Sequence, residues 1–245
     1  MTNEGAAKRA VTRLLTAIES RDLRAISSAL HPDATWQNVP HAAADGRVAV
    51  VEMLAPIITW SDRVRWDIVS ESFGREVAWL ERADRFWIDG AEYTVRCNGV
   101  LTTDGDVVRS VRDYSDLGEW RARIAPVYAR LAERAPREVV QRHLDAVASL
   151  DPVAMAADYA LDAVLERAGN RCIGHAAIGE YFDTVPARVG TASVTFGDVD
   201  ASGNAVTVEW HIDNNEAVRA SGRDHYVVEH GRIVHQTVTL VGPDF

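Results

Sequence analysis

Cysteine is scarce in this sequence, and its scarcity excludes two common ways of stabilising or equipping a protein. The 245 residues contain only Cys97 and Cys172, far apart in the chain, with neither a CxxC pair nor another metal-binding spacing. Such a chain has no disulfide framework and suits a reducing compartment. The histidines show no ligand spacing, and neither a glycine-rich phosphate loop nor a nucleophile elbow is present. We therefore expect no metal and no organic cofactor.

Positive charge and long apolar runs are also in short supply. The formal net charge of −10 argues against nucleic acid or an anionic membrane surface as the main partner. No apolar run approaches the roughly 18 residues of a membrane span. The first 22 residues are charged and helical in pattern, without the apolar core of a signal peptide. These features predict a cytoplasmic protein whose partner is a small molecule.

What the chain does contain is a regular succession of helix and strand patterns. The apolar residues Val11, Leu14, Leu15 and Ile18 have the i, i+3, i+4, i+7 spacing of an amphipathic helix. The next predicted elements are a helix at 23–30, a strand at 34–39, a loop at 42–46, a helix at 48–58, four strands between 64 and 116, and a helix at 119–134. Three helices followed by a curved antiparallel sheet indicate an α+β cone whose mouth the helices close.

The same pattern then occurs a second time. An amphipathic helix at 137–149, a helix at 176–182 and strands between 192 and 240 repeat the earlier elements. At an offset of 129 residues, Ser20–Leu23 aligns with Ser149–Pro152, which indicates duplication of one domain. With Pro136 as the boundary, we predict two tandem cone-shaped domains, residues 1–135 and 136–245. Each is expected to pack about three helices on a curved mixed or antiparallel sheet.

Charged residues fall on the predicted inner face of the first sheet. Side chains alternate along a strand, so Arg82, Asp84 and Phe86 share one face, and Val111 shares a face with Asp113. If Phe86 and Val111 face inward and line a pocket, a guanidinium and two carboxyls enter an apolar interior. Burying them costs several kcal/mol unless they pair or one carboxyl stays protonated. The alternative is a surface ion pair between Arg82 and Asp84.

The second repeat does not retain this cluster. The aligned residues are His211 for Arg82, Asp213 for Asp84, Thr239 for Asp113 and Arg167 for Asn38. His211 and Asp213 would be either a remnant dyad or an ordinary polar pair. Six of the seven tryptophans lie in the first repeat, which predicts the large aromatic cavity there. We therefore expect the chemistry in the first domain and a structural role for the second.

Three motifs of the first repeat together resemble those of the limonene-1,2-epoxide hydrolase family. They are WQNVP at 36–40, ERAD at 81–84 and VRDYSDL at 111–117, and the similarity covers about residues 6–120. That family has the cone fold shared by nuclear transport factor 2, ketosteroid isomerase and SnoaL. The second repeat resembles only the general SnoaL-like fold.

The resemblance implies a concerted opening of an epoxide without a covalent intermediate. Asp113 would deprotonate water, Asp84 would donate a proton to the epoxide oxygen, Arg82 would bridge the two carboxyls, and Asn38 would help to hold the water. An epoxide oxygen leaves poorly until it is protonated, so an acid and a base, each contributing roughly 10²–10⁴-fold, suit the reaction. The apolar pocket would accept a terpenoid, polyketide or fatty epoxide.

Trp36 departs from the family pattern, because it stands where the family has a water-holding tyrosine. An indole N–H donates a hydrogen bond but cannot accept one, so Trp36 either orients the water or only shapes the pocket. If a substrate hydroxyl replaced the water, the same residues would close a cyclic ether, as polyether-pathway epoxide cyclases of this fold do. A non-catalytic small-molecule binding protein is the third hypothesis, since a fold does not determine function.

The resemblance also bears on assembly. Members of the family pair through their sheets as homodimers, and a tandem duplication can place both partners on one chain. We therefore expect an intramolecular pseudo-dimer of the two domains and leave further homo-oligomerisation open.

Asn38 could cap the turn before Pro40 instead of holding a water.

Overall fold

The protein divides into two compact units, residues 1–127 and residues 128–245. The computed structural model describes residues 3–213 and 218–241. The division falls within a helix that ends at Ala132, a few residues before the boundary proposed at Pro136.

Unit 1 contains a set of helices followed by a six-stranded sheet. Its elements are α1 (Asn3–Glu19), α2 (Leu23–Ala29), β1 (Leu30–Asn38), β2 (Ala44–Asp45), α3 (Arg47–Trp60), β3 (Arg63–Phe73), β4 (Val77–Ile88), β5 (Ala91–Asp104), β6 (Val107–Tyr114) and the first part of α4 (Leu117–Ala132). The strands lie in the order β2-β1-β6-β5-β4-β3. Only the β1–β6 pair is parallel among these neighbours. This pairing places Asn38 beside Asp113, although they are far apart in sequence.

Unit 2 repeats this arrangement. Its elements after α4 are α5 (Pro136–Ser149), α6 (Pro152–Ala157), β7 (Tyr159–Arg167), β8 (Asn170–Ile173), α7 (His175–Val189), β9 (Ser193–Phe196), β10 (Asp200–Ser202), β11 (Ala205–Asp213), β12 (Val218–Glu229) and β13 (Arg232–Leu240). The sheet order is β8-β7-β13-β12-β11-β10, with β9 also on β11. The β7–β13 pair is parallel, as β1–β6 is. Each unit is therefore an α+β cone with three helices on a mixed sheet, which confirms the predicted fold class.

The turns between the first two helices of each unit are built alike. Arg21 and Leu150 have φ values of 59° and 56°. The next residues, Asp22 and Asp151, each accept hydrogen bonds from two backbone N–H groups of the following helix. These bonds satisfy N–H groups that a helix start otherwise leaves unpaired.

The amphipathic helices bury the predicted apolar faces. In α1, Val11, Leu14 and Ile18 are no more than 1% exposed, and the helix packs on strands β3 to β6. In α5, Val140 and Leu144 are buried in the core of unit 2. The 3.6-residue periodicity thus identified both helices and the faces that they bury.

Several boundaries differ from the sequence-based ones. The segment expected to be a loop at 42–46 contains β2, which pairs with β1. Strand β1 already begins at Leu30, because its parallel pairing with β6 extends to that residue. Helix α7 continues to Val189, well past the predicted end at residue 182, and buries Val185 and Val189. Tertiary pairing and burial extend these elements beyond their local signals.

Across residues 3–213 and 218–241, no helix combines the length and apolar character that crossing a bilayer requires.

Candidate active site

The candidate site lies on the inner face of strands β1, β4 and β6. Along β4, buried positions alternate with more exposed ones, and Arg82, Asp84 and Phe86 occupy buried positions. Arg82 is 1% exposed, and Asp84 and Asp113 are each 4% exposed. Arg82 and Asp84 are therefore an interior pair, and the alternative of a surface ion pair is wrong.

The Arg82 guanidinium joins the two carboxyl groups. Its Nε donates to Asp84 Oδ1 at 2.8 Å, and its Nη2 donates to Asp113 Oδ2 at 2.7 Å. These are charge-assisted hydrogen bonds, the stronger class of protein hydrogen bond. One cation here serves two buried carboxyls, so one negative charge stays unbalanced unless a carboxyl holds a proton.

The surroundings of the Asp84 carboxyl favour its protonated form. Burial raises the pKa of Asp84 to about 7, and the charge and hydrogen bond of Arg82 oppose only part of that shift. Burial by itself would lower the pKa of Arg82, but the charges of Asp113 and Asp84 outweigh it and raise the pKa. Arg82 therefore remains cationic, while Asp84 exchanges a proton near neutral pH.

A thiol lies in the same cluster. Cys97 is opposite Arg82 on the neighbouring strand and is 3% exposed. Burial, and then the charge of Asp113, raise the pKa of Cys97 to about 12. The thiol is consequently neutral at physiological pH and is a poor nucleophile.

Two tryptophans, one on β1 and one on β3, contact the charged groups. Trp36 Nε1 donates to Asp113 Oδ2 at 3.2 Å, the oxygen that also accepts from Arg82. The Arg82 Cζ lies 4.4 Å from the ring centroid of Trp66, where the ring quadrupole attracts the cation. Trp36 and Trp66 meet edge to face with their centroids 6.1 Å apart. The indole N–H of Trp36 is thus directed at the carboxylate of Asp113.

Gly99 provides the space for the bridge. It pairs with Asp113 on one side and with Leu80 of β4 on the other. A Cβ at this position would overlap Arg82 Nη1 and lie 2.8 Å from Asp113 Oδ1. Any other residue would therefore displace the guanidinium or the carboxylate.

Three buried polar atoms of the cluster make no hydrogen bond within the described residues. They are Arg82 Nη1, Trp66 Nε1 and Asp113 Oδ1. Two are donors and one is an acceptor. Since buried polar atoms are normally satisfied, these three are the atoms at which a water or a substrate oxygen can bind.

The other predicted site residues surround this cluster. Asn38 is half-buried on the strand beside Asp113, and its Nδ2 lies 4.0 Å from Met53 Sδ. Phe86 is buried and its ring centroid is 5.6 Å from that of Trp120. Val111 is 1% exposed in the core. The strand pairing thus brings all seven predicted site residues to one part of unit 1.

The strand registers correct the alignment between the repeats. Read from matching strand pairs, the equivalents are Trp210 for Arg82, Ile212 for Asp84, Val238 for Asp113, Asp224 for Gly99 and Arg167 for Asn38. The alignment was right for Arg167 but wrong by one residue for His211, Asp213 and Thr239. A slip of one residue moves a side chain to the other face. His211 and Asp213 lie outside the core, 3.6 Å apart, as an ordinary polar pair.

The tryptophan count was a poor guide to the cavity. In unit 1, Trp36 and Trp66 are buried, whereas Trp79 is 59% exposed and Trp87 carries Arg63 and Arg85 over its ring. A well-formed cavity is found in unit 2, lined by Trp210, where the sequence predicted only a structural domain.

The sequence analysis missed Gly99, Trp66 and Cys97 as neighbours of the charged cluster. Gly99 and Cys97 lie on the strand between Arg82 and Asp113, so counting along predicted strands could have suggested them. Trp66 carried no such signal, because its place opposite Asp84 depends on the register of β3. Across the described parts of the chain, no group of three His, Cys, Asp or Glu side chains is arranged to hold a metal ion.

Comparisons with known proteins concern the fold. Residues 140–236, within unit 2, match the SnoaL-like domain family, and no curated protein matches the chain. A Mycobacterium tuberculosis LEH-like epoxide hydrolase is 22% identical, covering 50% of this chain and 86% of its own, with a TM-score of 0.43. A Catenulispora acidiphila protein of ketosteroid isomerase-like fold is 21% identical, with coverages of 46% and 89% and a TM-score of 0.41. An epoxide hydrolase/cyclase-like enzyme of pyran ring formation in salinomycin is 18% identical, with coverages of 48% and 96% and a TM-score of 0.43. Residues 140–236 are thus similar to SnoaL-like domains, and the sheet of unit 1 has a matching strand order.

Proposed function

We propose that unit 1 is a cofactor-independent epoxide hydrolase that adds water to an apolar epoxide. One observation carries the proposal: a buried guanidinium is shared by two carboxyls, and the pKa of one of them, Asp84, is raised to about 7. Two carboxyls whose environments differ in this way suit the roles of acid and base. The three motifs that resemble the limonene-1,2-epoxide hydrolase family support the same assignment.

In the proposed reaction, Asp113 is the base and Asp84 is the acid. A water bound at Asp113 Oδ1 attacks an epoxide carbon and gives its proton to Asp113. As the carbon–oxygen bond of the ring breaks, protonated Asp84 donates its proton to the epoxide oxygen, and the product is a diol. Solvent then returns Asp113 to the carboxylate and Asp84 to the acid.

Arg82 and Trp36 act on the base rather than on the substrate. Both donate to Asp113 Oδ2, which leaves Asp113 Oδ1 to accept the water proton. Arg82 also keeps Asp113 and Asp84 in fixed relative positions, and alignment of this kind can contribute several kcal/mol to a rate. Asn38, which pairs with Asp113 on the neighbouring strand, is proposed to hold the water.

The decisive experiment is turnover of a panel of terpenoid and fatty epoxides in ¹⁸O-labelled water. Wild type should give singly labelled diol. Asp113→Asn and Asp84→Asn should each lower kcat by about 10²–10⁴-fold, while substrate binding persists. Asp106→Asn is the matched control, because that side chain is 69% exposed, and it should behave as wild type.

Diol formation that persists in both Asp113→Asn and Asp84→Asn would contradict the assignment of acid and base. If wild type and both variants bind the epoxide tightly and none converts it, the result would support a non-catalytic binding protein instead.

The position of Trp36 favours a second candidate, an epoxide-opening cyclase. Because its indole N–H is directed at Asp113 and cannot accept a hydrogen bond, position 36 offers no phenol oxygen to accept a hydrogen bond from the nucleophilic water. A hydroxyl of the substrate could then be the nucleophile deprotonated by Asp113. Hydroxy-epoxides distinguish the two activities, since unlabelled cyclic ether indicates a cyclase and labelled triol indicates a hydrolase.

A further inference from the structure

Unit 2 encloses a cavity of its own between helices α5 and α7 and the inner face of its sheet. The cavity is open to solvent at one end. Its walls are largely apolar, with Phe182 and Val185 from α7 and Val194 and Phe196 beside β11. Such walls suit an apolar ligand.

The floor of this cavity is a carboxylate held by neutral donors. Asp224 Oδ1 accepts from Trp210 Nε1 at 2.8 Å. Its Oδ2 accepts from the Tyr226 hydroxyl at 2.9 Å and from Gln236 Nε2 at 2.8 Å. The three donors come from three strands, so the carboxylate is fixed and stabilised without a ligand.

The hydrogen-bond network of Asp224 continues beneath the floor through Gln236, Tyr159 and His143. Gln236 Oε1 accepts from the Tyr159 hydroxyl, which lies 3.5 Å from His143 Nε2. Burial lowers the pKa of His143 to about 4, so the imidazole is neutral. The floor therefore brings no positive charge to the cavity.

Positive charge enters from one wall, through Arg167 and Tyr181. Both residues line the cavity, Arg167 is 6% exposed, and its Nη1 donates to the Tyr181 hydroxyl at 2.6 Å. Because that oxygen accepts from Arg167, its own proton points elsewhere and can be donated. Arg188 also approaches the Tyr181 ring, with its Cζ 5.9 Å from the centroid. The Arg167 guanidinium and the Tyr181 hydroxyl are together favourable donors to an anionic oxygen.

Arg167 also borders the surface. Together with Val238 it lines a second, more open cleft beside the β7–β8 turn. A ligand whose charged end reached Arg167 could therefore place its apolar part in the cavity. This cavity cannot repeat the epoxide chemistry proposed for unit 1, since Ile212 and Val238 take the positions of Asp84 and Asp113.

We propose that unit 2 binds an apolar small-molecule carboxylate, with the carboxylate at Arg167 and Tyr181 and the apolar part between α7 and the sheet. This site is independent of the reaction proposed for unit 1. The second cone is thus a ligand-binding domain.

The test is isothermal titration calorimetry on the full chain with 4-phenylbutyrate and with 4-phenylbutan-1-ol, which share an apolar part and differ in charge. Wild type should bind the acid about tenfold more tightly than the alcohol. Arg167→Met should remove most of that difference, and Tyr181→Phe should weaken acid binding about three- to tenfold. Both variants should change alcohol binding less than threefold.

Arg223→Met is the matched control, because it removes the same charge from an exposed ion pair of unit 2. It should leave both affinities as in wild type. Equal affinities for acid and alcohol, an equal loss in Arg223→Met, or no binding of either compound would overturn the proposal. If Arg167→Met does not fold, Tyr181→Phe alone decides, because it removes one oxygen and keeps the ring.

Discussion

The two cones bury charge in different ways on matching parts of their sheets. Unit 1 places a guanidinium between two carboxyls and leaves polar atoms of Arg82 and Asp113 without partners in the described chain. Unit 2 places one carboxylate, Asp224, among three neutral donors. The ionic arrangement keeps an acid that titrates near neutral pH and atoms ready for a substrate. The neutral arrangement fixes its carboxylate and leaves only the cavity wall for binding.

Arg82→Leu should have the largest effect, because it leaves two buried carboxyls without a cation. We expect the free energy of unfolding of unit 1 to fall by about 3–5 kcal/mol. Urea unfolding followed by tryptophan fluorescence measures this, since six of the seven tryptophans lie in the first 127 residues. Arg85→Leu is the control and should cost much less, because the ion pairs of Arg85 with Asp67 and Glu92 are partly exposed. Equal losses of stability in Arg82→Leu and Arg85→Leu would show that the buried ion pairs are worth no more than the partly exposed ones.

Gly99→Ala tests the space around the ionic cluster. The added Cβ meets Arg82 Nη1 and Asp113 Oδ1, so we expect a loss of about 1–3 kcal/mol in stability together with loss of epoxide turnover. Gly5→Ala, in the first turn of α1, where a Cβ would meet only Arg9 Nη1 at 3.5 Å, should be neutral or slightly stabilising. Full turnover in Gly99→Ala would show that the Arg82 guanidinium can be displaced without loss of activity.

Asp224→Asn tests the neutral network. The amide has the shape of the carboxylate but turns one acceptor into a donor that faces existing donors. We expect unit 2 to lose about 1–3 kcal/mol, measured by thermal unfolding monitored by near-ultraviolet circular dichroism. Asp200→Asn is an exposed control on β10. An unchanged unfolding temperature in Asp224→Asn would mean that the three donors do not stabilise the carboxylate.

The pH dependence of stability tests the acid of unit 1. In folded unit 1 the pKa of Asp84 is raised to about 7, whereas an unfolded Asp titrates near about 3.9. The folded state therefore binds more protons in this window, and the contribution of Asp84 to stability falls as pH rises from about 4 to about 7. Turnover should fall about tenfold per pH unit above about 7, because the acid loses its proton.

Asp84→Asn provides the reference for this profile, since it has no proton to lose. Its stability relative to wild type should increase with pH up to about 7 and then stay level. A stability difference that is constant across this range would contradict a raised pKa at Asp84.

Much of the fold was predictable, because helix and strand periodicities are local. The spacing of Val11, Leu14 and Ile18 identified α1 and its buried face, and strand alternation placed Arg82 and Asp84 on the same face as Phe86. The start of β1, the end of α7 and the short strand β2 were not predictable in this way. They depend on pairing and burial between segments distant in sequence.

The candidate site was predicted as a set of residues but not as a set of contacts. Motif order suggested that Arg82, Asp84 and Asp113 act together. It did not predict the hydrogen bond from Trp36 to Asp113 or the need for glycine at position 99, because both follow from the register of three strands. The same limit explains the misaligned His211 and Asp213, since loops of unequal length shift the register by one residue and thereby reverse the face.

The sequence by itself determined two cones of similar element order and placed Arg82 and Asp84 on one face of a strand, because periodicity and alternation are properties of the chain. Only the tertiary structure decided how far burial raises the pKa of Asp84 and which cavity has a cationic wall. Those properties depend on burial and on distances between strands, since the free energy of a charge is set by its surroundings and not by its neighbours in sequence.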